Sequence, residues 1–153
     1  MADVRDIYWE DIEVGSESVS PARTMTETDI VNFCGLSGDF NVIHTDAELA
    51  KNTPFGGRIA HGLLGLSIAS GLIARVPGAE ASKLVAFLGL SWDFRNPIMI
   101  GDTIRVHQQV SGKRRISRPG LGIVTYDVKV RNQRDEVCQE GEWKVLYMCR
   151  SVE

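Results

Sequence analysis

The sequence predicts an α+β domain in which one antiparallel sheet packs against one buried helix, and two features of the apolar pattern carry that reading. From Leu63 through Leu64, Leu66, Ile68, Ala69, Leu72 and Ile73, apolar residues fall on nearly every side of a helical projection. That pattern belongs to a helix enclosed by protein. After Pro77-Gly78 the period shifts to near-alternation through four long segments, as in a sheet with one face on the core.

Taken in order, the first element is a helix from Thr26 to Leu36. Ile30, Val31, Phe33 and Cys34 suit one face, and Thr26 with Asp29 has the spacing of a capping box in which Asp replaces Glu. The all-apolar helix follows, beginning near Ala60 to Gly62. Strands are expected over Leu84 to Phe94, Thr103 to Gly112, Gly122 to Val130 and Val137 to Cys149. Turns at Gly101-Asp102, Arg118-Pro119-Gly120 and Asn132 to Asp135 divide them. No repeat, low-complexity tract or linker divides the chain, so residues 1–153 read as one domain, a size that buries its own core. A sheet curved around the helix and a flat two-layer sandwich share this element order, and periodicity leaves both open.

Composition narrows the function classes. Apolar residues make up 43% and charged residues 24%, as in ordinary globular domains rather than disordered ones. A net charge of -3 with no basic block argues against nucleic-acid binding. The one basic run, Lys113-Arg114-Arg115, reads as a solvated strand end. The start, Met1 to Asp6, lacks an apolar run, and nothing later approaches the ~20 apolar residues that span a bilayer, so no membrane association and a cytoplasmic location are expected. Cys34, Cys138 and Cys149 are widely spaced, with no CxxC and no Cys/His cluster, which implies buried free thiols and no zinc site. No GxxxxGK[ST] loop is present.

The segment Leu36-Ser37-Gly38-Asp39-Phe40-Asn41-Val42-Ile43-His44, with Ala50 six residues beyond the histidine, resembles the hydratase-2 signature of the MaoC-like family. The resemblance continues through Gly56-Gly57-Arg58-Ile59-Ala60-His61-Gly62 and through Asn96-Pro97 with Gly101-Asp102-Thr103, and so covers most of the chain. It implies a hotdog fold, a curved antiparallel sheet wrapping a central buried helix. The implied activity is reversible syn hydration of a trans-2-enoyl thioester to the (R)-3-hydroxyacyl thioester, without metal or other cofactor. Coenzyme A or an acyl-carrier protein would carry the acyl group.

Such chemistry needs a base for the water, an acid for the α-carbon and positive polarity at the thioester oxygen. The resemblance assigns Asp39 and His44 to the water and the Gly62 N–H to the oxygen. Asp39 and His44, five residues apart, are expected in a loop leaving the first helix. Gly62 falls where a helix start leaves N–H groups unpaired in a positive dipole end, and one such donor is worth ~3 to 4 kcal/mol in the transition state. A carboxylate with an ordinary pKa of ~3.9 is a weak base toward water, so a partly desolvated site is expected. Asn41 is a candidate substrate contact, although a loop-bracing role fits it better, and Ser70 and Ile73 are candidates for the acyl pocket wall. The sequence departs from the family where Val42 replaces the usual proline.

Taken singly, Asp39 reads as a turn residue and His44 as a structural histidine; it is the joint spacing that favours chemistry. His61 is assigned mainly to structure, and His107 to a surface or edge position. Arg95 can pair with Asp93 or Asp102 and stays outside the site. Thioester hydrolysis and non-catalytic acyl-thioester binding are the competing functions. A sheet with an open edge also predicts a homodimer or a multiple of dimers.

Overall fold

The computed structural model describes residues 6–150, so all but Asp6 of the N-terminal start lies outside the described residues. In chain order the elements are β1 (Glu17–Val19), β2 (Arg23–Thr24), α1 (Glu27–Ser37), α2 (Val42–Thr45), α3 (Ala47–Lys51), α4 (Gly62–Ile73), β3 (Leu84–Phe94), β4 (Thr103–Arg115), β5 (Leu121–Arg131) and β6 (Val137–Met148). The sheet is antiparallel with strand order β1-β4-β5-β6-β3, and β2 joins β1 on the outer edge of β4. Between β1 and β2 the Ser20 hydroxyl accepts the Val106 N–H at 2.9 Å, standing in for a backbone acceptor where Pro21 interrupts the ladder.

Alternation places the core. On β4 and β5, Ile104, Val106, Val124, Val128 and Val130 are at most 1% exposed. Each such side chain contributes roughly 1.5–3 kcal/mol of apolar burial. They form one cluster with Leu64, Ile68, Ala69 and Leu72 of α4 and with Trp143, Val145 and Tyr147 of β6. Register shifts in β3, β4 and β6 interrupt the ladders; such bulges bend strands, which lets a sheet curve over a helix.

The capping box forms as expected. The Thr26 hydroxyl accepts the Asp29 N–H, and the Asp29 carboxylate accepts the Thr26 N–H at 2.8 Å. The four long strands fall within a few residues of their expected limits. Three features differ. The strands β1 and β2 are too short to show a period, and α2 and α3 occupy what reads in sequence as loop. Burial of α4 is one-sided: Leu64, Gly65, Ile68, Ala69 and Leu72 are buried, whereas Leu63, Ser67, Ser70 and Gly71 are exposed. One sheet covers one face of a helix, and among the described residues no second layer covers the other.

Among the described strands β3 pairs only with β6, and it exposes Leu84, Val85, Phe87, Leu88, Leu90 and Phe94. Of the basic run, Lys113 lies over the Trp9 ring and Arg115 pairs with Glu10 at 2.8 Å, so both brace the N-terminal turn. Arg95 pairs with Asp93 and Glu140 rather than with Asp102. The three cysteines are free and buried. Among the described residues no helix is long and apolar enough to cross a membrane.

Candidate active site

The catalytic candidates are placed by a run of local caps. α1 ends at Gly38, whose φ of 77° is the left-handed value that favours glycine at a helix C-terminus, and its N–H closes on Cys34 O. The chain leaves this turn at Asp39, whose carboxylate accepts the Asn41 N–H at 3.1 Å. Asn41 in turn caps α2, its side-chain oxygen accepting from Ile43 N–H at 3.2 Å. The structure therefore uses the Asn41 carbonyl to brace the loop. His44 sits on α2 itself, not in a free loop, and is 7% exposed.

The His44 ring is fixed by a 2.8 Å bond between Nδ1 and the Ile59 carbonyl oxygen. A carbonyl only accepts, so Nδ1 carries a proton, and in the neutral tautomer Nε2 holds the lone pair. His61 stacks on His44 with centroids 3.7 Å apart and planes 27° apart. Its Nε2 donates to the Asp39 backbone oxygen at 3.0 Å, and Phe33 lies against its other flank. His61 thus touches both catalytic candidates, a role that sequence reasoning missed. The available signal was a histidine, a poor N-cap residue, at the entry of an apolar helix where Ser, Thr, Asp or Asn is usual.

One carboxylate oxygen of Asp39 and one ring nitrogen from each of His44 and His61 lie within 4.8 Å of one another. The composition is that of a two-histidine, one-carboxylate metal site. The same three atoms can also share a water, which bridges polar groups a few ångströms apart.

Gly62 opens α4 directly after His61. The His61 side chain makes no cap bond, so the first-turn N–H groups have no side-chain acceptor and are open to an anionic oxygen. The approach is close here: a Cβ would lie 2.7 Å from Cε1 of Phe94, so any larger residue must displace that ring. Gln139, buried on β6, donates to the Gly62 carbonyl at 3.0 Å and accepts from Trp92 Nε1 at 3.1 Å, fixing this turn against the sheet. Sequence reasoning missed Gln139 as well.

Asp39 is exposed in the single chain, so the desolvation expected from the sequence is not supplied by these residues alone. α4 presents only one face to the sheet and leaves the other uncovered among the described residues. Leu36, Phe40, Val42 and Leu63, all exposed, surround the site with uncovered apolar surface. Ser70 and Ile73 lie apart from the Asp39, His44 and His61 cluster. They line a cavity of about 1050 Å³ that starts at Leu66, one turn past Gly62, and runs between the end of α4 and the concave face of β4, β5 and β6.

The MaoC-like domain family matches residues 13–132 of the chain. An (R)-specific enoyl-CoA hydratase of Rhodospirillum rubrum is 40% identical over 106 residues, covering 69% of this chain and 70% of its own. A 3-hydroxybutyryl-CoA dehydratase of Methylorubrum extorquens is 35% identical over 112 residues, covering 72% and 68%. Among solved structures, a monoamine oxidase regulatory protein of Archaeoglobus fulgius superposes with a TM-score of 0.89 at 38% identity over 96% of this chain and 97% of that one. A Mycobacterium tuberculosis protein described as a double hotdog fold, at 18% identity, superposes with a TM-score of 0.81 over 97% of this chain and 46% of that one, which speaks for the fold alone. The sheet-on-helix architecture is a hotdog fold, and the chain belongs to the MaoC-like hydratase and dehydratase family.

Proposed function

We propose that the protein catalyses reversible hydration of a 2-enoyl thioester to the (R)-3-hydroxyacyl thioester, and the observation that carries this reading is the convergence of Asp39 and His44 within 4.8 Å beside the uncapped start of α4. His44 Nε2 accepts one O–H of a water and Asp39 the other. Asp39 takes its proton as the water oxygen bonds to C3, and the electrons of the double bond move onto the thioester oxygen facing the Gly62 N–H. The same proton then passes to C2, so H and OH from one water are added and the carboxylate is regenerated. Removing such a base costs ~10² to 10⁴ in rate.

Coenzyme A or carrier-protein thioesters are the substrates, and the names of the two curated relatives support the coenzyme A form. A second copy of the chain completes the site by pairing along the unpartnered apolar edge of β3 and covering the collar of Leu36, Phe40 and Leu63. Sedimentation at micromolar concentration is expected to show a dimer or a multiple of dimers. Mixing with crotonyl-CoA tests the activity directly. Loss of enoyl absorbance without thiol release supports hydration, thiol release indicates hydrolysis, and neither indicates a binding module.

A further inference from the structure

The cavity beyond the Gly62 end of α4 has Leu66, Ile73, Val110 and Val145 in its wall, but its sheet side includes a buried polar atom without a hydrogen-bond partner among the described residues. Trp143 is 5% exposed, and its Nε1–H, buried, has no hydrogen-bond partner. Directly across the β5–β6 ladder from it stands Tyr126, whose hydroxyl meets that of Tyr147 at 2.8 Å. One of these hydroxyls donates to the other, which leaves the second with an uncommitted proton. Burial, and then the neighbouring Tyr147, push Tyr126 far above the usual tyrosine range, so its hydroxyl keeps its proton. Two donors therefore line one stretch of wall without an acceptor. The charged residues on the cavity lining, Asp11, Glu13, Glu17 and Glu80, are all acidic, and no Lys or Arg lines it among the described residues.

From Gly62 to Ser70 the helix advances roughly 12 Å and to Ile73 roughly 16 Å, at 1.5 Å per residue. An acyl chain whose thioester lies at Gly62 thus reaches this wall well beyond its reacting carbons. We propose that the cavity is built for an acyl group carrying a neutral hydrogen-bond acceptor, an oxo or hydroxyl oxygen remote from the thioester, held by Trp143 and the Tyr126–Tyr147 pair. This inference rests on the thioester reading above. A plain alkyl tail would cover the two donors and leave them unsatisfied, and a terminal carboxylate would meet those donors without any cationic partner, in a lining whose charged residues are all acidic. Buried donors of this kind discriminate strongly between a ligand that pairs them and one that does not.

The test is calorimetric binding of decanoyl-CoA, a series of its mono-oxo analogues with the oxygen at successive carbons, and the terminally carboxylated analogue to the native protein, with crotonyl-CoA hydration measured in parallel. One oxo position is expected to bind about tenfold tighter than the parent and the carboxylated analogue more weakly than it. Trp143→Phe and Tyr147→Phe, checked by thermal melts, should each reduce that preference toward one. Equal or tighter binding of the parent relative to every oxo analogue overturns the proposal, as does tightest binding of the carboxylated one, and these comparisons hold even if a variant fails to fold. Crotonyl-CoA hydration without an oxo preference removes this inference and leaves the hydratase reading intact. An oxo preference without hydration does the reverse.

Discussion

The two ends of α4 are built differently. At the first turn the two rings and the helix start are each anchored by a hydrogen bond: His44 to Ile59, His61 to Asp39, and Gln139 to the Gly62 carbonyl. At the last turns the helix borders an open cavity where Trp143 Nε1 has no partner. Fixed donors and acceptors suit a reaction whose geometry cannot vary, whereas a roomy wall with unmet donors suits a part of the substrate that does. On this account substitutions at the first end change the rate for all substrates alike, and substitutions at the far end change the choice among them.

The largest effect short of removing a catalytic side chain is expected from Gly62→Ala. The added Cβ meets Phe94 at 2.7 Å, and that ring, 54% exposed, can yield, so the fold survives while the first turn of α4 shifts. A displacement of that order costs about 10²-fold in kcat/KM, and steady-state kinetics should show it equally for short and long enoyl-CoAs. A loss confined to long chains would break the division between the ends. Next, Ile73→Trp narrows the cavity, and the kcat/KM ratio of long-chain to crotonyl substrates is expected to fall about tenfold, the scale of a few methylene contacts. An unchanged ratio would place the acyl chain elsewhere.

Smaller effects concern the support of the first end. Although burial pushes the Asp29 carboxyl up, hydrogen bonds from the Thr26 hydroxyl and backbone N–H, together with Arg23, hold it below the ordinary value of 3.8. A depressed carboxyl stabilises the fold above its unfolded pKa, and that contribution is lost as pH falls below about 4 through the folded value. Asp29→Ala should lower stability by about 1 kcal/mol at neutral pH, with the gap to wild type closing in melts at acid pH. A pH-independent gap would assign the loss to packing alone.

The smallest effect is a gain. Val42 is the first residue of α2, where proline is tolerated, and Asn41 before it has φ -54° and ψ 139°, the conformation that a following proline favours. Val42→Pro is expected to raise stability by ~0.4 to 1 kcal/mol and to preserve activity, measured by melts and crotonyl-CoA kinetics. A drop of several degrees would mean that the loop cannot accept the ring.

Most of the scaffold was legible because short-range rules decide it. The spacing of Thr26 and Asp29 locates the start of α1, and alternation on β4 to β6 locates the core. β1 and β2 escaped notice because three and two residues carry no period. α2 and α3, four and five residues long, are held by Asn41 and Asp46 caps rather than by an apolar stripe. At the site, the spacing of Asp39 and His44 could be read from the motif, but the stacking of His61 on His44 and the reach of Gln139 to Gly62 are tertiary. The one-sided burial of α4 was hidden for a related reason: an all-round apolar helix tells that every face must be covered, not which chain covers it.

The central claim is that Asp39 and His44 act on one water. It is tested most directly by crotonyl-CoA kinetics on Asp39→Asn, His44→Ala and the double variant, each confirmed folded by thermal melts. Asn keeps the size of the carboxylate but cannot take a proton. Each single variant is expected to lose ~10² to 10⁴ in kcat, and the double variant to fall little further, because residues acting as a unit are non-additive. Full activity in Asp39→Asn, or losses explained wholly by a lower folded fraction, would contradict the account.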